Sequence, residues 1–263
     1  RQRQMCIRDS YMVAAKFIKT YQAKGCLNVN GIESKEAYFF INSVTEIKAI
    51  LKQTQLTEDD YRIICADNPK NRRTLEEYTI SSSANAPKKF NFIASKSFEG
   101  VDFHSETGLC FVVSNVQNRH TLVSIDMDIP QIVGRIRTKS NPFRNKVVHI
   151  FNTKATDHYT TFEEMEQIVD KEVKAAQERA DMLNNTKLSE AATKQQINEI
   201  KKVGIESYLS YQENKFVVND MVAKLQLYSY YIATVVYQSD KSLRETYAQS
   251  GIVTTKGKWH LSL

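Results

Sequence analysis

Between residues 36 and 153, five short runs of β-branched, aromatic and other apolar residues recur: AYFFIN (37–42), YRIICA (61–66), FNFIAS (90–95), LCFVVS (109–114) and VVHIF (147–151). Runs of four to eight such residues read as strands, and near-continuous apolarity means that both faces are covered. Helical patterns alternate with these runs, as in βαβ units. The expectation is an α/β fold with a central, mostly parallel sheet sandwiched by helices. Val44, Ile47, Ile50 and Leu51 place one apolar face on a helix over 44–53, with Ser43 as its N-cap, and a second helix fits 70–78. The polar stretch 79–89 (TISSSANAPKK) reads as a loop.

The pattern changes after Asn152. All four prolines lie at or before Pro142, and only Gly204, Gly251 and Gly257 follow, so an all-α carboxyl-terminal region is expected. Thr161-x-x-Glu164 has the form of a capping box. Phe162, Met165, Val169, Val173, Ala176, Ala180 and Leu183 then follow at three- and four-residue steps, which predicts one long amphipathic helix. Further helices are expected at about 188–203 and 219–237.

A chain of 263 residues with 41% apolar residues can bury a substantial core in one large domain or two modest ones. No apolar run approaches the roughly 20 residues of a membrane span, so no membrane partner is expected. The net charge of +6 is mild and fits an anionic partner or solubility alone. The four cysteines, Cys6, Cys26, Cys65 and Cys110, form no C-x-x-C pair and have no histidine at metal-ligand spacing. Neither a disulfide framework nor a zinc site is indicated, and a reducing, cytoplasmic setting is expected.

The two ends read differently from the rest. RQRQMCIRDS (1–10) can be written in codons that resemble the tail of a transposon-based sequencing adapter, and Leu261-Ser262-Leu263 fits the start of the same element in the opposite sense. Both are expected to be assembly scars, which are excluded from fold reasoning. The chain is then expected to be an internal piece of a longer protein, with an α/β domain over 24–153 and a helical accessory region over 154–260.

Three stretches in order, AYFFINSVTEI (37–47), FIASKSFEGVDF (92–103) and IPQIVGRIR (129–137), resemble motifs IV, V and VI of the second RecA-like motor domain of superfamily 2 helicases and translocases. The three stretches span residues 37–137 of the chain. It implies a RecA-like sheet and an ATP-dependent helicase with ATP and Mg2+ as cofactors, in a site shared with an upstream RecA-like domain. The implied partner is nucleic acid, DNA rather than RNA. The GRxR form is similar to that of viral and phage-like replicative helicases, including the origin-binding type, which implies a prokaryotic or phage source.

Residue by residue, the resemblance implies that Asn42, Ser43, Ser95 and Lys96 grip nucleic acid. Short polar and basic groups past the carboxyl ends of parallel strands suit phosphate contacts on a single strand. Gly100 permits a tight turn, and Asp102 would approach the nucleotide ribose. Gln131 and Gly134 would face the nucleotide across the cleft. Arg135 and Arg137 are the candidates for the cation that neutralises charge at the γ-phosphate.

The sequence departs from the family pattern in two places. The usual second arginine of motif VI falls on Thr138, between Arg137 and Lys139, which leaves the choice of finger open. The threonine that commonly opens motif V is Ala94. No G-x-x-x-x-G-K-[ST] loop and no DExx box occur, so the chain alone is not expected to hydrolyse ATP. Two alternatives share these motifs or this fold: a non-catalytic nucleic-acid-binding or scaffold protein on an orphan RecA-like domain, and the motor subunit of a restriction system. His149, Cys65 and Cys110 read as core residues of strands, and the tyrosines of 219–237 as packing. The helix over 160–183 carries seven Asp and Glu against three Lys and Arg, which makes it a poor nucleic-acid surface.

Overall fold

The computed structural model describes residues 10–94, 101–153, 160–204, 207–257, 259 and 261. It divides into two compact units, one formed by residues 1–154 with 237–263 and the other by 155–236. The boundary near 154 agrees with the composition change. The segment from 237 onward departs from the expected 154–260 region, because it packs with the α/β unit.

Five strands form the parallel sheet of the first unit: β3 (Glu36–Phe40), β4 (Tyr61–Ile64), β5 (Phe90–Ile93), β6 (Gly108–Ser114) and β7 (Val147–Phe151), in the order β4-β5-β3-β6-β7. All five correspond to the apolar runs. The architecture is therefore α/β, with a parallel sheet flanked by helices and a largely helical region in the carboxyl-terminal part, consistent with a RecA-like fold. Phe39 lies between Phe92 and Phe111 in register, and its ring stacks on both, at centroid distances of 5.6 and 4.7 Å. These rings join Ala37, Ile63, Leu109 and Val113 on one sheet face, covered by α1 (Ser10–Lys24) and α2 (Val44–Thr54). Ser43 caps α2 as expected, accepting the Glu46 N–H at 3.2 Å, and the helix expected over 70–78 is α3 (Pro69–Leu75).

The start of the domain at residue 24 needs correction. Ala14, Phe17, Ile18 and Tyr21 recur at helical spacing and are buried in the sheet core, so α1 belongs to the domain. Ser10, placed with the adapter-like string, is its buried first residue, and Leu261 also packs against this core. Between α1 and β3 lies a short hairpin, β1 (Leu27–Val29) and β2 (Ile32–Ser34), turned by Asn30 and Gly31 with φ of 53° and 86°. This is the Asn-Gly signature of a type I′ turn.

The other sheet face carries Tyr38, Phe40, Arg62, Asn91 and Cys110, by the period-2 alternation of each strand. Gly108 opens β6 where this face is most crowded. A Cβ there would lie 2.5 Å from Tyr38 Cε2 and 2.8 Å from Ser105 Oγ, the oxygen that accepts the Gly108 N–H at 2.8 Å. Gly108→Ala is therefore expected to destabilise the fold by about 1–3 kcal/mol, the usual cost of overpacking. Urea unfolding checks this, and an unchanged midpoint would show that Tyr38 relaxes freely.

In the second unit, α5 (Phe162–Asn185) opens on the expected capping box, with Glu164 N–H to Thr161 Oγ1 at 3.1 Å and the reciprocal bond at 2.7 Å. α6 (Glu190–Val203) and α7 (Asp220–Thr234) follow the remaining helical patterns. The expectation of an all-α region fails at one place, the antiparallel hairpin of β8 (Leu209–Gln212) and β9 (Lys215–Val218). Glu213 and Asn214 both adopt positive φ to turn it. The side-chain amide of Asn184 substitutes for a neighbouring strand, donating to the Phe216 carbonyl at 2.8 Å and accepting its N–H at 2.9 Å. Ala176, Ala180, Leu183, Leu209 and Phe216 then close a small core.

The carboxyl-terminal return to the first unit is held by hydroxyls around one imidazole. His149 Nδ1 lies 2.7 Å from the Tyr247 hydroxyl, on α8 (Asp240–Gln249), and Nε2 lies 3.0 Å from Ser114 Oγ and 3.3 Å from the Tyr237 hydroxyl. Tyr237 also reaches the Val123 carbonyl at 3.1 Å. Buried aromatics with satisfied hydroxyls give this segment its place in the α/β unit.

Candidate functional site

Two clusters collect the candidate residues that lie within the described part of the chain. Ser95, Lys96 and Gly100 fall outside the described residues.

The first cluster sits at the carboxyl ends of β3, β6 and β7. Asn42 donates from its amide to the His120 carbonyl at 2.5 Å. Ser43 is 6% exposed, and its oxygen accepts from both the Glu46 N–H and the Asn118 amide, the latter at 3.4 Å. One Glu46 carboxylate oxygen takes the amides of Asn115 and Asn118 at 3.1 and 3.2 Å. Asn152 ties β7 into the same network by accepting the Val116 N–H at 2.8 Å and donating to Asn115 Oδ1 at 3.0 Å. These amide residues escaped the motif reading because each stands in an unremarkable loop and they converge only through the sheet. Their common signal is a polar residue at or just past the end of a strand, at Ser114, Asn115 and Asn152. Ser43 has its oxygen engaged as an N-cap, which leaves the half-exposed Asn42 as the more accessible of the two.

The second cluster joins the segment at 101–103 to the stretch 129–137 through the backbone. The Phe103 N–H donates to the Arg135 carbonyl at 2.8 Å, and the Arg137 N–H donates to the Phe103 carbonyl at 2.9 Å, a parallel bridge between Phe103 and Ile136. Alternation in extended chain sends those two side chains one way and their neighbours the other. Phe103 and Ile136 are buried. Phe103 packs on Tyr38 with centroids 4.6 Å apart, under the Arg62 guanidinium at 5.6 Å. Asp102, Arg135 and Arg137 are thereby placed together on the outer side. Arg137 Nε lies 2.9 Å and Arg135 Nη1 3.7 Å from the same Asp102 oxygen. Since Tyr38 is midway along β3, the chain at Phe103 already crosses the sheet face, so this site is set by a face anchor as well as by strand ends.

The two arginines are held differently. Arg135 has its side chain 14% exposed, and its Nε donates to the Gln131 carbonyl at 3.1 Å, one turn back on α4 (Asp128–Val133). Arg137 is 47% exposed, as is Asp102. Gly134 follows α4 with an ordinary right-handed conformation, and a Cβ there would meet only backbone oxygens at 3.5 Å or more. Nothing within the described residues requires a glycine at 134.

Arg62, on β4, was not anticipated as part of this cluster. It is 2% exposed, donates from Nε to Asn91 Oδ1 at 2.6 Å and also reaches the Asn85 carbonyl. Burial pulls its pKa below the usual guanidinium value. Burial likewise raises the Cys65 thiol to about 11 and the Cys110 thiol to about 12, so neither is an activated thiolate. His149 and Tyr247 also line a cleft of 1140 Å³ along the open edge of β7.

Two arginines and a carboxylate on one rigid bridge can bind an oxyanion and hydrogen-bond a hydroxyl. Among the described residues, no group of three His, Cys, Asp or Glu could hold a metal ion, and no helix is long and apolar enough to cross a membrane. No protein-family model matches the chain, and no curated protein is significantly similar to it.

Proposed function

We propose that this chain is the second motor domain of an ATP-dependent superfamily 2 helicase or translocase, with an inserted, largely helical accessory unit. The observation that carries the reading is the bridge at Phe103 and Ile136, which brings Asp102 of the motif V stretch against Arg135 and Arg137 of the motif VI stretch. On this reading the arginines face the phosphates of ATP, Asp102 faces the ribose, and ATP and Mg2+ lie in a site shared with the first motor domain. The carboxyl-end cluster with Asn42 lies along the nucleic-acid path, DNA rather than RNA.

Charge supports a nucleic-acid partner for the α/β unit. Residues 155–236 hold 13 Asp and Glu against 9 Lys and Arg, a net −4, whereas the other residues, leaving out the adapter-like 1–10, hold 16 against 24, a net +8. The cationic surplus of the chain thus resides in the unit that carries the motifs, as phosphate-backbone binding needs.

The test is to sequence the source locus across both ends and assay the complete open reading frame. A phosphate-binding loop and acidic box upstream, with ATP hydrolysis stimulated by single-stranded DNA, are the expected results. A complete frame without that loop would leave a binding or scaffold protein on this fold.

A further inference from the structure

The carboxylate of Asp102 is shared by both candidate finger arginines, and the sharing is built into the backbone. The Phe103 to Ile136 bridge fixes residues 102, 135 and 137 side by side, and Phe103 is locked by Tyr38 and Arg62 beneath it. Gln131 holds Arg135 from the other side through its carbonyl. One negative charge is therefore placed between two positive ones, where the sheet face, rather than the ion pair, sets the backbone geometry.

We infer that Asp102 is an internal counter-ion that latches Arg135 and Arg137, and that a polyphosphate must displace it to engage them. This deepens the motor reading by naming the regulation of its nucleotide site. In the latched state the arginines satisfy Asp102. An incoming phosphate chain, with several charges against one, draws the guanidinium groups over and leaves the carboxylate free to accept hydrogen bonds from a hydroxyl. The exchange makes release of Asp102 and capture of the arginines a single event, so only a ligand bearing both a polyphosphate and a hydroxyl compensates every group. The pairs at 2.9 and 3.7 Å are half-open to water on the Asp102 and Arg137 side, so the latch is weak enough to be opened by binding.

The probe is inorganic tripolyphosphate, which carries the phosphates and lacks the hydroxyls, titrated calorimetrically into the 263-residue chain at low ionic strength. Removing the counter-ion with Asp102→Asn is expected to tighten tripolyphosphate binding about fivefold, the scale of two partly exposed ion pairs. Asp102→Ser should do the same, Asp102→Glu should restore the wild-type value, and adding both Arg135→Ala and Arg137→Ala to Asp102→Asn should abolish the gain. Thermal unfolding of each variant checks that the bridge persists. Unchanged or weaker binding in folded Asp102→Asn and Asp102→Ser would overturn the latch, since a purely structural ion pair disorders the arginines when cut. The motor reading has a separate readout in the upstream sequence and its ATPase, so either idea can fail alone.

Discussion

On the proposed motor reading, Arg135→Ala in the full reading frame is expected to lower nucleic-acid-stimulated ATP hydrolysis by about 10³-fold, the lower end of what an arginine finger supplies. The effect is placed on Arg135 rather than Arg137 because the former is held in advance. Its Nε is tied to the Gln131 carbonyl, its backbone carbonyl to Phe103, and its side chain is largely enclosed. A cation fixed before the charge develops needs no reorganisation when the γ-phosphate leaves. Arg137 is more open to water and should contribute less, about tenfold, through weaker electrostatics. Steady-state kinetics with saturating single-stranded DNA check both variants, and ATP affinity measured separately distinguishes lost binding from lost turnover. Equal, small effects of the two substitutions would remove the finger role from this cluster.

The second large effect is on stability at acid pH. Burial among hydroxyls pushes the His149 pKa down from 6.5 to about 3, since much of the water that would solvate the imidazolium is excluded. The unfolded chain binds this proton below about pH 6.5 while the folded chain refuses it until about pH 3, so stability is full above pH 6.5 and falls as pH drops through that window. Part of the residue faces the cleft beside β7, which moderates the penalty. A loss of about 2–3 kcal/mol between pH 6.5 and 4 is expected from this group. Urea unfolding of the wild type and His149→Gln across that range isolates it: the variant starts less stable at pH 7 and has the flatter pH dependence. Parallel curves would mean that His149 titrates normally.

The clasp around His149 also shows what motif reading overlooks. VVHIF was legible as a strand because five residues of mostly β-branched and aromatic type have few alternatives. That His149 would meet Tyr237 and Tyr247, 88 and 98 residues later, was not, because the return of the chain after an inserted unit has no local signature. The all-α expectation for 154–260 failed for related reasons. YLSYQ and KFVV are too short to outweigh their helical surroundings by periodicity, and the β8–β9 hairpin is stabilised by the amide of Asn184, which lies in a distant helical turn. Helix α1 lies outside the expected 24–153 domain, yet the spacing of Ala14, Phe17, Ile18 and Tyr21 marks a buried face whose partner is the distant sheet.

Sequence alone determined the local and periodic properties: five buried strands, the caps at Ser43 and Thr161, and the helix α5. Each follows from interactions within a few residues, where spacing reports which face is buried. Tertiary structure decided which of those residues meet. Asp102 and the two arginines are more than 30 positions apart and converge because Phe103 and Ile136 need the same apolar sheet face, which turns their charged neighbours outward together. The alternation in V-D-F and R-I-R held that information, but only the packing of one short segment against the other gave it meaning. The strand order, the Glu46 amide network and the union of residues 237–263 with the sheet are likewise consequences of burying surface between distant segments, where no spacing rule applies.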